Sequence, residues 1–449
     1  MKKSIMHILA ILLLSHNCLA AENLLEQQAE TTLRKASAYY QSISTRGGYV
    51  GIYSADLKER YGEAFYEPAG ATEIWVQPPG TPSIGECFLR AYQVTGEKHY
   101  LTAATDAARA LVWGQRISGG WAHRVDIAHL QTGSNKTLRK KGNCTFDDNI
   151  SQGALSFLIS IDEIIDEQWL SEAIELGLDY MMKAQFKNGA WPQWYPLIGA
   201  YHDYYTFNDN SINDCIRIML KAHKIYGKEE YLHSAKQGGN FIILSQLPPP
   251  QSGWAQQYSH DLKPAWARSF EPPGICSSVT GRNIRMLVDL YLYTKDKKYL
   301  EPIPKAIEWL DNSKIGDNLW ARLYEEGSNK PIYGDREDGN KIHYDYASIS
   351  EKEQNSYAWQ GSYGIKEVVG YYNQVKSLGS DQYLAKRDRP LTSAQAQQKA
   401  EQLTAKTEQV IASLDDKGRW IENNMIYSKV FVRNVNMLCE YLEFRNLKL

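Results

Sequence analysis

"IRIMLKAHKIYGKEEYLHSAKQGGNFIILSQ" (residues 216–246), closed by "SGWAQQY" (252–258), decides how the rest of the chain is read. Its apolar residues recur at helical spacing on both sides of a short break, so it reads as two amphipathic helices ending in a glycine-tryptophan corner. The same order recurs three more times. "IGECFLRAYQVTGEKHYLTAATDAARALVW" (84–113) leads to "GGWAHRV", and "GALSFLISIDEIIDEQWLSEAIELGLDYMMKAQ" (153–185) leads to "NGAWPQWYP". "IRMLVDLYLYTKDKKYLEPIPKAIEWLDNS" (284–313), with Leu287, Leu290, Leu292, Ile307 and Leu310 at helical spacing, leads to "LWARLYEEGSNKP". The marker residues Trp121, Trp191, Trp254 and Trp320 stand 70, 63 and 66 residues apart. One helical hairpin cannot bury its apolar face alone, whereas stacked copies form a continuous core. With further helices expected at 26–45, 362–377 and 391–415, the pattern predicts an all-α chain. The expected architecture is an α/α toroid, an incomplete α/α barrel with its corners gathered as a groove on one face.

The 449 residues are 43% hydrophobic and 23% charged with a net charge of −2, which excludes a generally basic nucleic-acid-binding surface. Aromatics are heavy in the types with a polar handle, 30 Tyr and 12 Trp. Lys2 and Lys3, the ten-residue run "IMHILAILLL" and "CLAA" form the three parts of a secretory signal peptide over 1–21. Export to the periplasm or beyond the cell is therefore expected. A single catalytic domain is expected over 22–449, as a monomer without a membrane span. Cys87, Cys144, Cys215, Cys276 and Cys439 have no metal-site spacing and read mainly as small buried hydrophobes.

Chemistry-bearing residues sit at the corners, where loops on a rigid frame carry function. "TFDDNIS" (145–151) and "TFNDNS" (206–211) each precede an apolar helix. Asp and Asn at a helix start are ordinarily read as caps, but two caps do not require this many acids. Asp147, Asp148 and Asp209, converging from neighbouring corners, would make an oxygen-rich site for a hard cation, best Ca²⁺. "KPAWARSFEPP" (263–273) supplies Arg268, and "WARLYEEGSNKPIYGDREDG" (320–339) supplies Arg322 and Arg336. A guanidinium fork suits carboxylates, so acids, arginines and tryptophans together point to an acidic sugar polymer. Trp191, Tyr195, Trp254 and Trp320 are candidate stacking faces for sugar rings. Plugging of the repeat junctions is the other role open to the tryptophans.

"TFDDNIS", "NGAWPQWYPL", "YHDYYTFNDNS", "PAWARSFEPP", "WARLY" and "KPIYGDREDG" occur in order over about residues 70–360. In these motifs the chain resembles the polysaccharide lyase family 10 pectate lyases, whose α/α toroid cleaves polygalacturonate by Ca²⁺-assisted β-elimination. The resemblance implies Asp147 and Asp209 as acidic metal-site residues, with Asp148 where an Asn ligand is usual. It implies Arg268 as the Brønsted base, and Arg322 and Arg336 as the grip on substrate carboxylates. The chain departs from the pattern near Val279, where an acid is expected, and in "SEKEQNSYAWQ" (350–360). Arginine is a base only if its pKa, ordinarily above 12, falls. A nearby cation and other guanidiniums are expected to lower it, giving an alkaline optimum. Two alternatives stand beside this reading: a toroidal uronyl or glycoside hydrolase using paired carboxyls, and a catalytically silent uronan-binding protein.

Overall fold

The computed structural model describes residues 23–128 and 142–447. The signal-peptide reading falls outside the described residues. The helices are α1 (23–42), α2 (Thr81–Thr95), α3 (Lys98–Gly114), α4 (Ile150–Asp162), α5 (Gln168–Ala184), α6 (Ser211–Tyr226) and α7 (Glu229–Leu244). They continue as α8 (Ser277–Thr294), α9 (Ile303–Asn312), the short α10 (Glu351–Ser356), α11 (Ile365–Arg387), α12 (Ser393–Ala412) and α13 (Ser428–Asn446).

The four repeats become the hairpins α2/α3, α4/α5, α6/α7 and α8/α9. An inner ring runs from α13 to α2, α4, α6, α8 and α11, each packed on the next. The first and last described helices meet: Tyr40 of α1 stacks on Phe431 of α13 at 3.7 Å, and Arg445 pairs with Glu26. One continuous core of buried side chains runs from Leu25 to Leu442. All five cysteines of the described residues are free and buried. No helix among the described residues is long and apolar enough to cross a membrane. Helix α13 has no counterpart in the sequence reading, although Val430, Phe431, Val435, Leu438 and Leu442 mark a helical face.

The tryptophan corners lock the ring. Gly119 (φ +111°) and Gly189 (φ +95°) turn the chain before the indole, and a Cβ there would lie 2.2 Å from Leu176 O and 2.0 Å from Gln237 O of the next outer helix. Only glycine accepts both the left-handed backbone and that approach. Each indole then donates to a carbonyl of the preceding outer helix: Trp121 to Leu111, Trp191 to Met181, Trp254 to Ile242 and Trp320 to Leu310, at 2.6–2.8 Å. Trp420 repeats the bond to Val410 in a fifth corner. Short antiparallel ladders stitch the corners into one face. Cys144–Thr145 pairs with Trp194–Tyr195, Tyr205–Thr206 with Gln257–Tyr258, and Ile275–Cys276 with Leu323–Tyr324.

Candidate active site

The two Thr-Phe stretches fold as copies. Thr145 Oγ1 accepts from Asp147 N and Thr206 Oγ1 from Asn208 N, closing a tight turn. Phe146 and Phe207 are buried, stacked on Tyr180 and Phe241 of the outer helices. Two left-handed residues follow each time: Asp148 (φ 47°) and Asn149 (φ 57°), then Asp209 (φ 46°) and Asn210 (φ 62°). Asp and Asn tolerate this region best among non-glycine residues, at about 1–2 kcal/mol each. The two turns touch each other on the corner face.

Where they meet, carboxylates crowd. Burial first, then the charges of Asp147, Asp209 and Glu63, push the Asp148 carboxyl up to about 7. Burial and Asp147 push Asp209 up to about 6. One ligand atom each from His123, Asp147 and Asp148 lie within 4.8 Å of one another, and burial lowers the His123 pKa, favouring the neutral imidazole that can ligate. Asp147 Oδ1 is buried without a hydrogen-bond partner among the described residues. An orphaned carboxylate oxygen among mutually repelling acids fits a cation, and the oxygen-rich set fits a hard one such as Ca²⁺. His123 stands beside Asp147 and Asp148, and Asp209, the third acid of the expected trio, acts on Asp148 from the adjoining turn. His123 occupies the second position after Trp121, as Gln193, Gln256 and Arg322 do after their tryptophans; that repeat position was the signal for it.

The three arginines also converge. Arg268 grips the buried Glu271 through Nε (2.9 Å) and Nη2 (2.8 Å), and Tyr357 donates to the same carboxylate at 2.7 Å. Arg336 is paired through Nη1 with the buried Glu353. Both guanidiniums face the Phe270 ring, at 4.7 and 3.8 Å, and Arg322 lies over Tyr357 at 4.5 Å. Polar side chains join the two groups: Arg322 donates to Asn208 Oδ1, Asn208 donates to Asp209, and Gln256 connects Arg322 with Glu271. The expectation of a lowered Arg268 pKa is overturned, because the hydrogen bonds and charge of Glu271 raise it. Glu271 was visible three residues after Arg268; Glu353 and Tyr357 lie in the stretch 350–360 where the chain departs from the family pattern.

A further correction concerns the aromatics. Trp191, Trp254 and Trp320 are at most 1% exposed, with their indole N–H groups committed inside the corners, so they are wedges and not sugar platforms. Tyr195 and Trp194 are half-buried; Trp194 lies 4.3 Å from the His202 ring and Tyr195 5.8 Å from that of Tyr180. Asp203 holds the N–H groups of Ile198 and Gly199, a turn-forming role. A separate recess of about 550 Å³ between α12 and α13, lined by Lys406, Trp420 and Arg433, contains none of the clustered acids or arginines.

The fold is an α/α toroid whose corner face gathers the clustered acids and arginines. Residues 115–317 and 312–368, together more than half of the chain, match the family described as pectic acid lyase, and the chain belongs to that family. It is accordingly a polysaccharide lyase. The fold is similar to that of a family 10 polysaccharide lyase from Cellvibrio cellulosa, at 18% identity and a TM-score of 0.51 over 66% of this chain and 97% of that one. A mutant lyase from the same organism, in complex with trigalacturonic acid, superposes with a TM-score of 0.50 at 18% identity, over 65% and 98% of the two chains. No curated protein matches the chain in sequence.

Proposed function

We propose that this lyase cleaves polygalacturonate by Ca²⁺-assisted β-elimination, with Arg268 as the base. The observation that carries the reading is the junction of two clusters, Asp147, Asp148 and His123 on one side and Arg268, Arg322 and Arg336 on the other, through Asp209, Asn208 and Gln256. Ca²⁺ held by the carboxylates of Asp147, Asp148 and Asp209, with His123 beside them, would neutralise the uronate and make its C5 proton acidic.

The protein's own groups do the rest. Arg336 and Arg322 orient the carboxylates of neighbouring sugar units. Glu271 takes the Nε and Nη2 edge of Arg268 and fixes the guanidinium plane. Arg268 removes the C5 proton, the C5–H electron pair becomes the C4=C5 bond, and the C4–O bond breaks with its electrons on the departing sugar. Because Glu271 raises the Arg268 pKa, the base form is a minor species and the rate rises into alkaline pH. The same reading makes residues 22–449 one catalytic domain, monomeric, exported behind the 1–21 segment.

The test is purified protein with polygalacturonate at alkaline pH, with and without chelator, beside Arg268→Ala and Asp209→Ala. Unsaturated, ultraviolet-absorbing products that vanish in the chelated and variant reactions support the reading; equal turnover by Arg268→Ala overturns it. One observation favours a hydrolase as the second reading: a carboxyl titrating near 7 at Asp148 beside Asp147 has the form of an acid/base pair. Saturated products would establish it.

A further inference from the structure

A guanidinium offers a ligand different donors according to which of its edges the protein already occupies. The Nε–Nη2 edge carries two parallel N–H groups that match the two oxygens of a carboxylate. Arg268 uses that edge on Glu271 (2.9 and 2.8 Å), and Arg322 uses its own on Gln256 (3.0 Å) and Asn208 (3.2 Å). Arg336 is held by its other side. Its Nη1 donates to both oxygens of Glu353, at 2.6 Å to Oε1, while its Nε and Nη2 have no hydrogen-bond partner among the described residues. The Arg336 side chain is 40% exposed and that of Glu353 2%.

The stretch 350–360, in which the chain departs from the family pattern, builds this arrangement. Six residues are too few for α10 to hold as a helix alone. Ser350 caps it by accepting from Glu353 N at 3.3 Å, and Asp335 fixes the cap by accepting from Ser350 N and from Ser350 Oγ (3.1 Å). Asp335 and Arg336, adjacent in sequence, thus clasp the start of α10 and its glutamate. Trp359 Nε1 donates to Glu353 Oε1 at 3.2 Å. On the other side Gly334 passes so close to Phe270 that a Cβ would lie 1.9 Å from its carbonyl oxygen, and the Phe270 ring lies 3.8 Å from the Arg336 guanidinium. Arg268 lies over the same ring at 4.7 Å.

Resting on the lyase reading above, we propose that Glu353 is a positioning residue which, by taking Nη1, presents the Nε–Nη2 edge of Arg336 as the fork for a substrate carboxylate. A buried glutamate on Nη1 leaves the paired donors free; one on the fork, as at Arg268, leaves a single nitrogen for the proton transfer. The two glutamates therefore divide binding from chemistry between two arginines that share one aromatic ring.

The test is a double-mutant cycle on the full chain with Ca²⁺. KM and kcat are read by ultraviolet absorbance on polygalacturonate, and Kd by calorimetry with oligogalacturonates in the Arg268→Ala background, where the ligand persists. Glu353→Ala is expected to raise KM and Kd about tenfold and to change kcat by less than about threefold. Glu353→Gln keeps an acceptor for Nη1 and for Trp359, hence the fold, and is expected to stay within about threefold of wild type. Arg336→Ala should raise KM at least as much as Glu353→Ala, and adding Glu353→Ala to it should raise KM no further, because the glutamate acts through the arginine. A merely structural glutamate would lower stability and rate in both backgrounds without that coupling. Equal factors in KM with and without Arg336, a loss confined to kcat, a Glu353→Gln as impaired as Glu353→Ala, or tighter binding by Glu353→Ala overturns the assignment. The lyase reading fails separately: coupled binding with no unsaturated product from wild type leaves Glu353 positioning Arg336 and removes the chemistry.

Discussion

The acidic and the cationic ends of the site are built on opposite principles. Every arginine of the platform has a partner in the protein: Glu271 for Arg268, Glu353 for Arg336, and Gln256 with Asn208 for Arg322. The acids are crowded against one another and have neutral amides as hydrogen-bond partners, Gln77 for Asp148 and Asn208 for Asp209, with Arg268 and Arg322 acting on them through space. Asp148 and Asp209 are held above the usual carboxylate range by burial and neighbouring acids, and Asp147 keeps a buried oxygen unpaired. The cationic end is paired within the protein, whereas the acidic end keeps a buried carboxylate oxygen without a hydrogen-bond partner among the described residues.

The largest effect tests the cationic end. Arg268→Ala is expected to lower kcat by about a thousandfold or more, and Arg268→Lys to restore little, since an ammonium cannot keep both the Glu271 fork and a free edge. Initial rates on polygalacturonate measure both. Asp147→Asn, at the acidic end, is expected to cost about a hundredfold in rate and to abolish any rise in Tm on adding Ca²⁺. If the two ends do differ as described, Arg268→Ala retains that rise in full.

Glu271→Gln should reduce both rate and stability, by about 1–3 kcal/mol in chemical denaturation, because the partly exposed Arg268 loses an ionised, buried partner. Trp191→Phe removes the indole bond to Met181 and is expected to cost about 1–2 kcal/mol of stability while leaving KM unchanged. A changed KM would return Trp191 to the sugar-binding face.

The smallest effect is on pH. Folded Asp148 and Asp209 titrate near 7 and 6, above their unfolded values near 3.8. Between those limits the folded protein holds more protons than the unfolded one, so the stability of the metal-free protein falls as pH rises from about 4 to 7. Asp148→Asn should flatten that slope in a series of thermal melts.

How much of this was legible in the sequence depends on whether the determinant was local. The hairpins were, because Leu287, Leu290 and Leu310 expose their periodicity within a few turns, and Gly119 and Gly189 mark corners whose backbone only glycine fits. The Thr-Phe turns were legible as a pair because the same local chemistry recurs. Burial was not. Nothing adjacent to Trp191, Trp254 or Trp320 tells whether an indole faces the groove or the carbonyl ten or twelve residues behind it. The partners of α13 lie at the opposite end of the chain, and Glu63 reaches Asp148 only through Gln77 across 85 residues of sequence. The raised pKa of Arg268 was missed for another reason: the cationic neighbours were counted, and the glutamate three positions on was not.

The asymmetry between the two ends is tested most directly by titrating Ca²⁺ into the chelator-stripped protein in a calorimeter, with wild type, Asp147→Asn and Arg268→Ala in parallel. Saturable binding by wild type and Arg268→Ala, lost in Asp147→Asn, is the expected result. Binding unaffected by Asp147→Asn, or absent from wild type, would contradict an acidic end that waits for a cation.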